Sequence, residues 1–197
     1  MSQKSVDNKR RRFIAQSAGL LTAAGLPLTV TASTKTEDKA SVRQETKQDR
    51  YGIKGEQAPE IELDYWIDKD GKPTTFSVLE NRGKWVFLKC FQNWCPGCHA
   101  SGFPALKAFS DAFWDHPDVA IAGIQTVFEG FGSNAKSHVR KLQLQYDLPI
   151  TMGHDAGDPQ GDRFPKTVRN YFTGGTPWLI LIEPGGMVVL HNYSDSA

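Results

Sequence analysis

The sequence predicts an α/β fold, a central mixed sheet flanked by helices, and three stretches carry that prediction. The apolar run Trp85-Val86-Phe87-Leu88-Lys89-Cys90-Phe91 has the length and composition of a buried strand, and it leads into Cys95-Pro96-Gly97-Cys98 and then a helical pattern. Gly174-Gly175-Thr176-Pro177 opens a second apolar strand that turns at Pro184-Gly185-Gly186 into a third, which is a hairpin signal. Between these, Val119–Val127 reads as a buried strand and is followed by an amphipathic helical pattern over Ala135–Tyr146. Strands and helices interleaved in this way fold as layers around one sheet.

From the N-terminus, Lys9-Arg10-Arg11-Arg12-Phe13-Ile14 joins paired arginines to two apolar residues, and an uncharged stretch continues to Ala32. Residues 1–32 resemble a twin-arginine signal peptide with Val30-Thr31-Ala32 as its cleavage site, which implies export to the periplasm. Gln16, Ser17, Gly19, Gly25 and Pro27 interrupt the apolar run, whereas a membrane span takes about 20 predominantly apolar residues. Left uncleaved, the same segment would act as a membrane tether. Ser33–Tyr51 is polar and charged without apolar periodicity, so residues 33–56 are expected to be a flexible linker and residues 57–197 the folded domain.

The whole chain carries 23 Lys and Arg against 22 Asp and Glu, but residues 1–32 hold five of the basic residues and one acid. The remainder has 18 basic and 21 acidic residues, net −3. No basic surface follows, so nucleic acid is not expected as a partner. The roughly 140 residues of the domain suffice for one sizeable core.

Within the domain, Glu60–Ile67 alternates as a strand and Asp68-Lys69-Asp70-Gly71 turns it. After the central strand and the cysteine pair, Ser101–Trp114 reads as a helix that Pro104 should kink. Ile150–Met152 reads as a short strand and Thr167–Phe172 as a short helix before the hairpin. Only His191–Ala197 follows that hairpin, so a C-terminal helix is expected to be absent. The sheet face it would cover would then need another partner, a second copy of the chain being one candidate.

A strand that ends in Cys-x-x-Cys at the start of a helix describes a disulfide-exchange site. Two intervening residues let Cys95 sit exposed at the helix start while Cys98 lies one turn in, near enough to close a disulfide. Unpaired N–H groups and the positive end of the helix dipole favour a thiolate there, and thiolate is the reactive form. Because His99 follows, the same string also matches c-type haem attachment. The buried strand directly ahead and the folded-protein export signal argue against that reading. Structural zinc would take four ligands, and Cys90 is the one further cysteine. Neither a metal nor another cofactor is expected.

Trp94-Cys95-Pro96-Gly97-Cys98, Gly175-Thr176-Pro177 and the strand-turn-strand that follows together resemble the thioredoxin superfamily. The lead-in Phe76-Ser77-Val78-Leu79 with Arg82-Gly83-Lys84-Trp85 is similar to its TlpA/ResA-like, redoxin branch, over about residues 57 to 191. The resemblance implies a thioredoxin-like fold, with Cys95 as nucleophile, Cys98 as resolving thiol and Pro177 as a cis-proline. It also implies that Thr176 offers its backbone to an extended substrate and that Trp94 covers the dithiol and helps form the docking surface. The implied activity is thiol–disulfide oxidoreductase, acting on protein thiols and disulfides and recharged by an upstream redox partner.

Three residues are candidates for tuning the thiols. Lys89 stands six residues before Cys95, where thioredoxin carries a buried acid; it could stabilise a thiolate by charge or snorkel to the surface. His99, four residues after Cys95, could share its helix face and depress its pKa, or lie on the surface. Glu129, in the loop after the next strand, is a candidate proton acceptor or a solvated loop residue. Cys90 alternates into the strand and is expected to be a buried apolar filler. Two other functions stay open. A peroxiredoxin-type thiol peroxidase would place Thr or Ser three residues before its cysteine, where this chain has Gln92, and Pro four before that, where it has Leu88. A non-catalytic binding module would keep the fold without the chemistry, which an intact dithiol disfavours.

Overall fold

The computed structural model describes residues 50–193, and the signal peptide and most of the linker read from the sequence lie outside the described residues. Six strands form one sheet: β1 Trp66–Ile67, β2 Trp85–Phe91, β3 Val119–Val127, β4 Thr151–Ala156, β5 Trp178–Ile182 and β6 Val188–Tyr193, in the spatial order β1-β4-β3-β2-β5-β6. β2, β3 and β4 run parallel, while β1, β5 and β6 each pair antiparallel with a neighbour. Three α-helices accompany them: α1 Phe103–Phe113, α2 Ser137–Gln145 and α3 Lys166–Asn170. The expected mixed-sheet α/β architecture is therefore present.

β2 is central and buried on both sides, which is why its sequence is apolar at every position but Lys89 rather than alternating. Val86, Leu88 and Cys90 join Ile124, Trp178 and Ile180 on one face, packed by the lead-in residues Ala58 and Ile61 and by Tyr171. Phe87 and Phe91 lie on the other face with Leu106 of α1 and Leu142 of α2. Leu179 and Leu181 of β5 are only partly buried on this second face, and Leu190, paired with Leu181, is 41% exposed.

Several elements differ from the sequence reading. The strand expected over Glu60–Ile67 is reduced to Trp66–Ile67. Before it, the Glu60 carboxylate accepts hydrogen bonds from the N–H groups of Ile61, Val78 and Leu79 and from the Ser77 hydroxyl, so a side chain and not a sheet ladder organises the segment. β4 extends to Ala156 instead of ending at Met152, because β3 offers parallel partners as far as Val127. The expected helix over Ser101–Trp114 begins as a π turn, Cys98–Gly102, and becomes α1 at Phe103. Pro104 stands in the first turn of α1, where its missing N–H costs little; the interruption it imposes takes the form of that π turn.

Candidate active site

β2 delivers the chain to Gln92 at the carboxyl end of the parallel strands, and residues 96 and 97 are already helical, so Cys95 caps a helix start. Pro96 suits the first helical position, since its φ is preset and its missing N–H is not needed there. The Cys98 N–H donates to Cys95 Sγ at 3.3 Å, and the Cys95 N–H donates to the Gln92 carbonyl at 3.2 Å. Antiparallel pairing of Cys90 with Trp178 brings the start of β5 alongside this turn. There the Thr176–Pro177 peptide bond is cis, and the Thr176 carbonyl accepts a hydrogen bond from Cys95 Sγ at 3.4 Å.

Both cysteines are free thiols, and their environments separate them. The Cys98 side chain donates to Cys95 and, with the Thr176 side chain and the N–H groups of Cys98 and Gly97, lowers its pKa to about 6 against the opposing effect of burial. Cys98 is raised well above the ordinary thiol range, first because it is the donor in that pair and then because it is buried. Cys95 retains 6% exposure and Cys98 none. The order of accessibility follows the sequence expectation, but Cys95 is a recessed thiol, not an openly exposed one.

The other expected site residues divide. Trp94 is 44% exposed and its indole lies against Gly130, where a side chain would approach Cδ1 and Nε1 to 2.8 Å. Thr176 is buried with its carbonyl engaged by Cys95. Lys89 does not snorkel out: it is 2% exposed, with its Cε 3.6 Å from the position a Gly102 side chain would take, beside Pro177. A central strand covered on both faces leaves a lysine no route to solvent. Its charge counters part of the rise in Cys90, whose thiol burial and Asp155 push up to about 12. That burial fits Cys90 as an apolar filler.

His99 does not face Cys95. Its Nδ1 lies 2.6 Å from Tyr146 Oη and its Nε2 2.6 Å from the Asn93 carbonyl. With both ring nitrogens held inside the protein, the axial ligand that haem attachment would require is already committed. Glu129 is brought to the site by its backbone: its carbonyl accepts from Asn134 Nδ2 at 3.1 Å. Among the described residues no group of three or more His, Cys, Asp or Glu is placed to hold a metal ion.

Asn134 is the residue that sequence reasoning missed. It is 1% exposed, and its Oδ1 accepts from the Asn93 N–H at 2.6 Å and from Gln125 Nε2 at 3.2 Å. Its Nδ2 donates to the carbonyls of Glu129 and Gly130 and toward Gln92 Oε1. The segment entering the dithiol is thereby tied to the β3–α2 loop. The one local signal was an asparagine in a loop bounded by glycine, which is too common to single out.

Comparison with known proteins agrees with this geometry. The chain resembles a thioredoxin-like superfamily protein of known structure at 29% identity, with a TM-score of 0.63, covering 72% of this chain and 88% of that one. It resembles a thiol-disulfide isomerase from Corynebacterium glutamicum at 26% identity, with a TM-score of 0.61, covering 71% and 88% of the two chains. The thioredoxin domain of a thiol-disulfide oxidoreductase from Bacteroides vulgatus shares the fold at 22% identity, with a TM-score of 0.53, covering 71% and 88%. No curated protein matched the chain. The sequence profile of the AhpC/TSA family matches residues 54–190, nearly the whole of the described domain, and the chain belongs to that family.

Proposed function

We propose that the protein is a thiol–disulfide oxidoreductase that exchanges electrons with protein dithiols and disulfides through a mixed disulfide. The observation that carries this reading is the asymmetry of the pair: Cys95 is lowered to about 6 and partly accessible, while Cys98 is raised and fully buried. The Cys95 thiolate attacks one sulfur of a client disulfide, the client S–S bond breaks, and the other client sulfur leaves as thiolate. Cys98 then gives up its proton to the released client thiolate and attacks Cys95 Sγ. The Cys95–Cys98 disulfide forms, the mixed disulfide breaks, and the second client sulfur leaves as a thiolate that takes a proton from solvent, so the client departs as a dithiol, reduced by two electrons. Run in reverse, the same steps oxidise a client.

The names of the Corynebacterium glutamicum relative and its neighbours support the activity, and the lead-in motif supports the TlpA/ResA-like branch. The paired arginines at Arg10 and Arg11 support a periplasmic setting, with an upstream redox partner recharging the dithiol. A peroxidase reading is disfavoured because Gln92, three residues before Cys95, lies buried in the Asn134 network and supplies no hydroxyl.

Insulin reduction with dithiothreitol as electron source tests the activity. Catalysis should vanish in Cys95→Ser, and Cys98→Ser should accumulate a client mixed disulfide. Hydrogen peroxide consumption without disulfide reduction would replace this reading with the peroxidase one, and a wild type with neither activity would leave a binding module.

A further inference from the structure

Resting on the dithiol reading above, we infer that His99 is a positioning residue, a latch with its proton fixed on Nε2 that closes the segment Asn93–His99 around both cysteines and is itself held by Tyr146.

The hydrogen-bond chemistry fixes the tautomer. The partner of Nε2 is the Asn93 carbonyl at 2.6 Å, which can only accept, so Nε2 carries the proton. Nδ1 of the neutral ring then accepts, and the Tyr146 hydroxyl at 2.6 Å donates to it. Burial favours the protonated phenol, so this donor persists. Tyr146 is in turn stacked on Phe103, with ring centroids 4.3 Å apart.

The other end of the latch is equally anchored. The Asn93 N–H donates to Asn134 Oδ1 at 2.6 Å, and its Nδ2 donates to the Ser133 carbonyl at 2.8 Å. His99 therefore bonds to the carbonyl of a residue that is itself tied to Ser133 and Asn134. It also sits in the π turn that starts at Cys98, so the bond spans the stretch in which Cys98 must approach Cys95. Holding that stretch closed keeps the two sulfurs near bonding separation and raises the effective concentration of Cys98 against a disulfide on Cys95. This favours the internal disulfide and speeds resolution. Releasing the latch shifts the equilibrium toward the dithiol and makes the protein the stronger oxidant.

The test compares His99→Phe, His99→Gln and Tyr146→Phe with the wild type, by redox equilibration in glutathione buffers. His99→Phe removes both hydrogen bonds and should shift the equilibrium constant toward the dithiol by about three- to tenfold, the scale of one hydrogen bond. His99→Gln keeps an amide donor for the Asn93 carbonyl and should stay within about twofold of the wild type. Tyr146→Phe, which retains the ring stack on Phe103, should shift in the same direction as His99→Phe and by less. Unchanged equilibrium constants in both folded His99→Phe and Tyr146→Phe would overturn the proposal, as would a His99→Gln shift as large as that of His99→Phe. Should His99→Phe fail to fold, an unchanged Tyr146→Phe overturns it alone. Nitrogen-15 NMR of the wild-type imidazole should show the proton on Nε2, and a proton on Nδ1 would refute the latch directly. If the wild type showed no reversible dithiol–disulfide couple at all, the dithiol reading would fall instead.

Discussion

Gly102 lies so close under Pro177 that a methyl group on its α-carbon would stand 2.9 Å from the proline Cβ and 3.4 Å from its Cγ. The π turn that follows Cys98 thus touches the loop that carries the Thr176 carbonyl, and the two halves of the site are spaced by the absence of a side chain.

Gly102→Ala should push that loop outward and lengthen the 3.4 Å contact between Thr176 and Cys95. Overpacking of this kind costs about 1–3 kcal/mol of stability. Insulin reduction should slow by roughly an order of magnitude or more, since small displacements of reacting groups carry such penalties. Turnover and denaturation midpoint both equal to the wild type would show that the loop yields without consequence.

Alkylation of the reduced protein should follow ionisation of Cys95, half-maximal at about pH 6. The sign follows from thiolate being the reactive form: the rate falls on acidification through that value and reaches a plateau above it. Cys98→Ala removes the largest cause of the lowering and should move the midpoint up toward the usual 9.0, whereas Cys98→Ser retains a hydroxyl donor and should move it less. A wild-type midpoint near that of a free cysteine would contradict the assignment.

Cys90 should take no part in exchange. It is fully buried and its thiol is pushed up to about 12, so native alkylation read by mass spectrometry should leave it unlabelled. Cys90→Ala should keep insulin reduction intact and cost on the order of 1 kcal/mol for the small cavity left behind. Loss of activity in a folded Cys90→Ala protein would instead make it a third redox thiol.

Asn134→Ala should destabilise the protein by about 2 kcal/mol or more, because buried Gln125 Nε2 loses its acceptor without regaining water and partly buried backbone groups lose theirs. The Asn93 N–H, Gln125 Nε2 and the Glu129 and Gly130 carbonyls are the groups left behind. Urea denaturation measures this, and a change below about 0.5 kcal/mol would remove Asn134 from its role as hub.

Export makes a separate prediction. Arg10→Lys with Arg11→Lys should leave an unprocessed precursor in the cytoplasm, seen by fractionation, if the twin-arginine route carries the folded protein. Undiminished periplasmic delivery would point to the general secretory route.

Features that depend on neighbours along the chain were legible before any folding was considered. A continuous apolar run made β2 a buried central strand, the spacing of Cys95 and Cys98 put one thiol at a helix start and one a turn inside, and the Pro-Gly-Gly turn joined β5 to β6. Which side chains meet across the fold was set by packing between distant segments. His99 finds Tyr146 some distance along the chain because α2 packs on the same sheet face as α1, and Asn134 reaches Asn93 because parallel pairing of β2 with β3 sets their following loops side by side. Lys89 is buried, and Glu60 replaces a strand ladder, for the same reason: periodicity reports which face a residue lies on, but solvent access and hydrogen-bond partners depend on what the rest of the chain lays over that face.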